Sequence, residues 1–185
     1  MNAFWAYFWP ACGLGVLCGV LAGFVAFRAP RVRVKAAPAE ISAALAKWAR
    51  RRARAIAVGS VAAVIAAGVW HGPLGAADRF SKAVEQSAAR VLADNEAPAG
   101  VSARIHHGPL TRQVILSGPS DDFQRGEAAR LLDQIPGVSN AAWKRSSGLP
   151  LIVEGAIAAF VGFLLGLVLA YLVELRRRHN AQWNW

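Results

Sequence analysis

The chain is 185 residues long and carries 21 Lys and Arg against 11 Asp and Glu, a formal charge of +10. Hydrophobic residues make up 55% of it and charged residues only 17%, where a soluble domain has about 25% charged residues. With a mean hydropathy of +0.33, this balance excludes a disordered chain, and two Cys exclude a disulfide-dense scaffold. A chain that is both apolar and basic points to membrane spans with a basic cytoplasmic side.

The first predicted element is the uncharged run Phe4–Phe27, long enough at about 1.5 Å per residue to cross a hydrocarbon core of roughly 30 Å. A secretory signal would open with basic residues. Here Arg28, Arg31, Arg33 and Lys35 follow the run instead, in the manner of a stop-transfer flank. Residues 1–27 are therefore expected to form transmembrane helix 1. Gly15, Gly19 and Gly23 recur one helical turn apart. They make a smooth stripe on which another helix backbone can approach closely. Phe4, Trp5, Tyr7, Phe8 and Trp9 crowd the start of this span, with Pro10 after them, as interfacial anchors do. Cys12 and Cys18 have no His or carboxylate nearby and read as small apolar fillers.

Residues 28–54 form a basic loop. It holds Arg28, Arg31, Arg33, Lys35, Lys47, Arg50, Arg51, Arg52 and Arg54 against one acid, Glu40. Pro30 and Pro38 separate it from span one. Within it, Ala39–Arg54 reads as an amphipathic helix entering the second span, with Ile41, Leu45, Trp48 and Ala49 on one face. Its basic residues Lys47, Arg50, Arg51, Arg52 and Arg54 suit anionic lipid, at about 1 kcal/mol each. The Ala-rich run Ala55–Trp70, lengthened by its flanks, is expected to form transmembrane helix 2 over residues 55–76. It offers a second small-residue stripe, Gly59, Ala63 and Ala67.

Residues 77–148 are nearly neutral and read as a small domain. Apolar residues at Phe80, Val84, Ala88, Val91 and Leu92 have helical spacing over 78–93. Val101, Ala103 and Ile105 alternate with polar residues as in a strand. His107-Gly108-Pro109-Leu110 turns the chain into a second strand around Gln113–Leu116, closed by Gly118-Pro119. Ser120 and Asp121 can cap a helix running to about Ile135, which Pro136-Gly137 stops. Val138–Trp143 completes the order α-β-β-α-β.

Three landmarks in this region resemble the BON domain, a small envelope module. They are Val114-Ile115-Leu116-Ser117-Gly118, the helix Arg125-Gly126-Glu127-Ala128-Ala129-Arg130, and Pro136-Gly137-Val138 before the last strand. The resemblance covers about residues 78–145. It implies a periplasmic α/β sandwich with phospholipid or envelope interaction and carries no catalytic residues. The chain differs from the usual pattern in having one copy, a longer His-His-Gly-Pro-Leu turn, and apolar spans on both sides.

The third apolar run gives transmembrane helix 3 over residues 149–173, with Gly162 and Gly166 as its small stripe and Glu154 as its intramembrane acid. A carboxylate there either reaches the interface or takes a partner. Residues 174–185 form a basic tail with Arg176, Arg177 and Arg178, then Trp183 and Trp185. By the positive-inside rule the 28–54 loop and the tail are cytoplasmic, and the N-terminus and residues 77–148 are periplasmic.

The expected fold is thus a membrane α-helical protein with three transmembrane helices plus a small α+β domain, located in a bacterial inner membrane. No P-loop, GxGxxG, GxSxG, HExxH or CxxC motif occurs, so no enzyme is expected. His106 and His107 lack further ligands at metal spacing, and neighbours on a strand face opposite ways. Asp121 and Asp122 suit a helix N-terminus. No catalytic residue, metal, cofactor or nucleic-acid partner is expected. The expected partners are membrane lipids and transmembrane proteins or further copies of the chain. The expected role is a non-enzymatic envelope scaffold whose external BON-like domain contacts lipid or a protein. The alternative is an accessory subunit of a large respiratory or photosynthetic membrane complex.

Overall fold

The computed structural model describes residues 2–28, 37–98, 100–145 and 148–183, with Gln182 and Trp183 described by backbone alone. Pro30, Arg31, Arg33, Lys35, the Trp183 side chain and Trp185 lie outside the described residues. The elements are α1 (Ala3–Phe27), α2 (Pro38–His71), α3 (Ala76–Asp94), β1 (Ser102–His107), β2 (Leu110–Ser117), α4 (Asp122–Asp133), β3 (Asn140–Ala142) and α5 (Leu151–Trp183). Three helices, α1, α2 and α5, are long and apolar enough to cross a membrane. Between the second and third of them stands a small α/β domain of order α-β-β-α-β.

The basic amphipathic helix enters the second span without a break, and the two form one continuous 34-residue helix, α2. Pro38 sits at its first position, where the missing donor costs nothing, and no proline follows. The Ala- and Arg-rich stretch between is a good helix former, so nothing breaks it. This helix ends at His71 rather than at residue 76, because Gly72-Pro73 turns the chain and Gly75, at φ 68°, leads into α3. The basic tail is also helical. It continues α5 to Trp183, supported by Glu174 pairing with Arg177 and Arg178 one turn on.

The chain divides into two compact units, residues 1–10 with 68–155, and residues 11–67 with 156–185. In the first unit, β1 and β2 form an antiparallel hairpin and β3 joins β2 in parallel, giving the order β1-β2-β3. Helix α3 buries Phe80, Val84, Ala88 and Leu92, successive residues of one stripe. These pack with Ile105, Val114 and Leu116 of the sheet and Ala128 and Leu132 of α4. The core also takes in Tyr7 from α1 and Leu151 from α5. Helix α4 starts with a capping box: the Asp121 carboxylate accepts from the Gln124 amide at 2.7 Å, and the Gln124 side chain accepts from the Asp121 amide. Gly118 closes β2 at φ 132°, and any Cβ there would overlap the Gly100–Val101 backbone.

The second unit is built from the rest of α1, α2 and α5. Ala22, Ala63 and Phe163, one residue from each of these helices, form its buried centre.

Candidate functional site

The glycines of the second unit lie where its helices touch. A Cβ on Gly15 would overlap the Ala159 carbonyl, one on Gly19 the Phe163 carbonyl, and one on Gly23 the Ala170 methyl. From the other side, a Cβ on Gly162 would overlap the Cys12 carbonyl, and one on Gly166 the Val16 carbonyl. The pairs ascend together in both helices, so α1 and α5 run parallel with their backbones in direct apposition. Glycine Cα–H groups facing carbonyls in this way are the close contact that helix association in lipid favours. Gly59 of α2 meets Ala22 and the Phe163 ring. Ala63 and Ala67 are buried on the same stripe. The small-residue positions thus serve packing within this chain.

At the far end of this unit the basic residues divide in role. Helix α1 leaves its last carbonyls without intrahelical donors. Arg51 donates to the Val25 and Arg28 carbonyls at 3.1 and 3.0 Å, Trp48 Nε1 donates to the Arg28 carbonyl, and Arg178 donates to Phe27. These two cations and an indole complete the C-terminus of α1 and complement its dipole. The Arg52 guanidinium lies over the rings of Phe27 and Trp48 at 5.3 and 5.7 Å. Lys47, Arg50 and Arg54 are exposed.

The first unit holds a polar cluster that gives Glu154 a partner. Its Oε2 lies 2.7 Å from Arg112 Nε, a cation supplied by β2, and both side chains are about one-fifth exposed. The Arg112 guanidinium also sits over the Phe4 and Phe8 rings of α1. Beside this pair the Tyr7 hydroxyl bonds His71 Nδ1 at 2.7 Å and the Leu151 carbonyl at 3.3 Å. A phenol has one proton to give. Both bonds form together when His71 donates through Nδ1 and Tyr7 donates onward to Leu151. Gly155 leaves the space: a Cβ there would lie 2.8 Å from the Tyr7 oxygen. Trp70 Nε1 donates to the Tyr7 carbonyl at 3.0 Å. One cluster therefore ties together the first turns of α1, the end of α2, β2 and the start of α5.

The surface of the first unit offers two features. A cleft of about 560 Å³ is lined by Asn2, Gln86, Ser87, Arg90, Asn95 and Gln134 over apolar Val91, Leu131 and Ile135. Phe123, in the first turn of α4, is 81% exposed. Near it, a hydrogen bond from Arg130 holds the Glu127 carboxyl below its ordinary range. His106 bonds the Pro109 carbonyl within its own turn, and His107 lies 3.7 Å from Glu85. Among the described residues, no group of three or more His, Cys, Asp or Glu could hold a metal ion.

Sequence reasoning identified Glu154 but not its partner. Arg112 sits mid-strand among polar neighbours, and no local pattern shows that its side chain meets a helix some forty residues on. His71 fell inside the expected second span, and Tyr7 read as an interfacial ring. Their pairing depends on which helix ends meet. Comparison with protein-family models, with curated proteins and with solved structures gives no match.

Proposed function

We propose that this protein is a non-enzymatic membrane scaffold that holds a small α/β module at the outer surface of a bacterial inner membrane, where the module contacts lipid or a protein partner. The observation that carries this reading is the shared core of the first unit. Tyr7 and Leu151, from two of the apolar helices, are buried among Phe80, Val84, Leu116 and Leu132 of the module. A domain fastened through its own core is held in place, whereas a lipid shuttle needs to leave the membrane. The α-β-β-α-β order and the landmarks at Gly118 and Pro136-Gly137 support a BON-like module. Phe123 is the exposed apolar group best suited to a contact, because single exposed aromatics supply contact area at low entropic cost.

One observation favours the alternative of an accessory subunit. Helix α2 buries only 11% of its most apolar stretch, against 33% for α1 and 28% for α5. Its exposed Val58, Val61, Val64 and Ile65 would pack on a sister subunit as readily as on lipid.

Purification in mild detergent, with mass spectrometry of everything that co-migrates, separates the two. A scaffold runs as a monomer or small homo-oligomer, and its module, tested by Phe123→Ser, governs any bound partner. A stoichiometric set of other membrane proteins whose retention ignores Phe123 but fails when Val61 and Ile65 become polar would replace the scaffold with the subunit.

A further inference from the structure

Helices α1 and α2 leave an open groove of about 480 Å³ between them, lined by Cys18, Leu21, Ala22, Val25, Ala55, Val58, Gly59 and Ala62, with Arg51 and Arg54 at one end. Its lining is apolar along the whole length except at that end. On α2 it runs from Arg51 to Ala62, which at about 1.5 Å per residue is roughly 16 Å. One leaflet of a hydrocarbon core of roughly 30 Å is about that deep. The groove therefore has the length of an acyl chain lying in a single leaflet, with two cations at the level of its headgroup.

The charge at the mouth is not neutralised. Arg112, Arg125, Arg130, Arg177 and Arg178 each pair with a carboxylate. Arg51 and Arg54 have no carboxylate partner among the described residues. The bonds Arg51 makes go to two backbone carbonyls through one nitrogen, which fixes the guanidinium without cancelling its charge. A fixed guanidinium with remaining donors is suited to a phosphate oxygen.

We propose that this groove binds an anionic glycerophospholipid, with an acyl chain along Leu21, Val58 and Gly59 and the phosphate between Arg51 and Arg54. The site rests on the reading of α1 and α2 as membrane spans. It differs from a diffuse basic surface in two ways. Arg50 carries the same charge but does not line the groove, and the groove has a shape that a side chain can fill.

The test is native mass spectrometry of the full-length protein in neutral detergent, titrated with phosphatidylglycerol or phosphatidylcholine of matched chains. Phosphatidylglycerol is expected to be retained preferentially. Arg54→Gln, at an exposed position without a hydrogen bond to lose, is expected to weaken its retention about fivefold, the loss of one basic contact at a lipid surface. Ala62→Trp is expected to weaken retention of both lipids by filling the groove, and Arg50→Gln, outside the groove, to weaken phosphatidylglycerol retention less than Arg54→Gln does. Circular dichroism of each variant reports that the helices remain. Equal losses for Arg50→Gln and Arg54→Gln would overturn the site in favour of diffuse surface charge. Lipid retention indifferent to Ala62→Trp, with loss of a dimer instead, would give the groove to a second copy. Recovery of the protein in the soluble fraction after alkaline washing of membranes would overturn the spans themselves, and with them the site.

Discussion

Replacing Gly19 with Ala tests the backbone apposition of α1 and α5. The added carbon would overlap the Phe163 carbonyl oxygen and lie 2.9 Å from the Phe163 carbonyl carbon and 3.0 Å from the Gly166 Cα. Ordinary contact begins at 3.4 Å, so α1 and α5 must part by about half an ångström at the carbonyl carbon and by more at the oxygen. Both obstacles are backbone, and no side-chain rotation relieves them. Overpacking of this kind costs about 1–3 kcal/mol. Against it stands the gain of about 1 kcal/mol for Ala over Gly inside a helix. Gly13 separates the two effects, since a Cβ there meets nothing within 4 Å. Gly13→Ala should stabilise by up to about 1 kcal/mol, and Gly19→Ala should fall below it by the overpacking cost of about 1–3 kcal/mol. Gly19→Leu, with three further carbons, should prevent the two helices from meeting. The assay is unfolding of the purified protein in mixed micelles by added dodecyl sulfate, followed by circular dichroism. Equal midpoints for Gly13→Ala and Gly19→Ala would refute the backbone contact between α1 and α5.

Other substitutions test the α/β module and its cluster. Asp121→Ala removes the capping box of α4 and should cost about 1 kcal/mol in thermal unfolding; a smaller loss for Asp121→Asn would show that the cap, not the charge, matters. Arg112→Met strands the Glu154 carboxylate and should destabilise, while the double variant Arg112→Met/Glu154→Gln should recover part of the loss. A coupling below about 0.5 kcal/mol in that cycle would mean the pair contributes no more than an exposed one. Phe123→Ser should change stability by no more than about 0.5 kcal/mol, because the ring is exposed, yet reduce capture of whatever the module binds. A large fall in melting temperature would instead place the ring in the fold.

The sequence made the elements legible wherever periodicity or a breaker marked them. The stripe Phe80, Val84, Ala88 and Leu92 located α3 to within two residues, and Pro136-Gly137 stopped α4 because glycine at φ 111° and proline both end helices. The basic helix entering the second span was legible too, while the end of α2 at His71 was not. Charge content divides Arg50–Arg54 from the apolar run after it, but charge does not break a helix, and only Gly72-Pro73 does. The basic cluster has a second use that was not legible, for a related reason. Composition shows that Arg51 and Arg52 are positive, while their use at the end of α1 depends on which helix terminus lies within reach. Glu154 announced itself as a carboxylate in an apolar run. Arg112, Tyr7 and His71 did not, because a partner brought from another element leaves no periodic trace.

In the membrane protein proposed above, the apposition of α1 and α5 also constrains how the chain crosses. Gly15, Gly19 and Gly23 meet Ala159, Phe163 and Ala170 in ascending order, so the two helices traverse in the same direction. Helix α2 lies between them in sequence and must return the chain. On the proposed reading of α1, α2 and α5 as spans, residue 2 and the α/β module would lie on one side of the membrane, and Lys47 and Arg178 on the other. The basic residues that cluster beside the ends of the spans, Arg28, Lys47, Arg50, Arg51, Arg52, Arg54 and Arg176 to Arg178, fall on the second side, which the positive-inside rule assigns to the cytoplasm. A periplasm-active reporter should therefore be active at Gly100 and silent at Lys47 or after Arg178. A cytoplasmic reporter active at Gly100, with the reverse at Arg178, would keep the parallel helices but invert the protein in its membrane. Gly100 and Arg178 on the same side would be a deeper failure, because no odd number of crossings allows it, and the parallel pairing of α1 and α5 would fall with it.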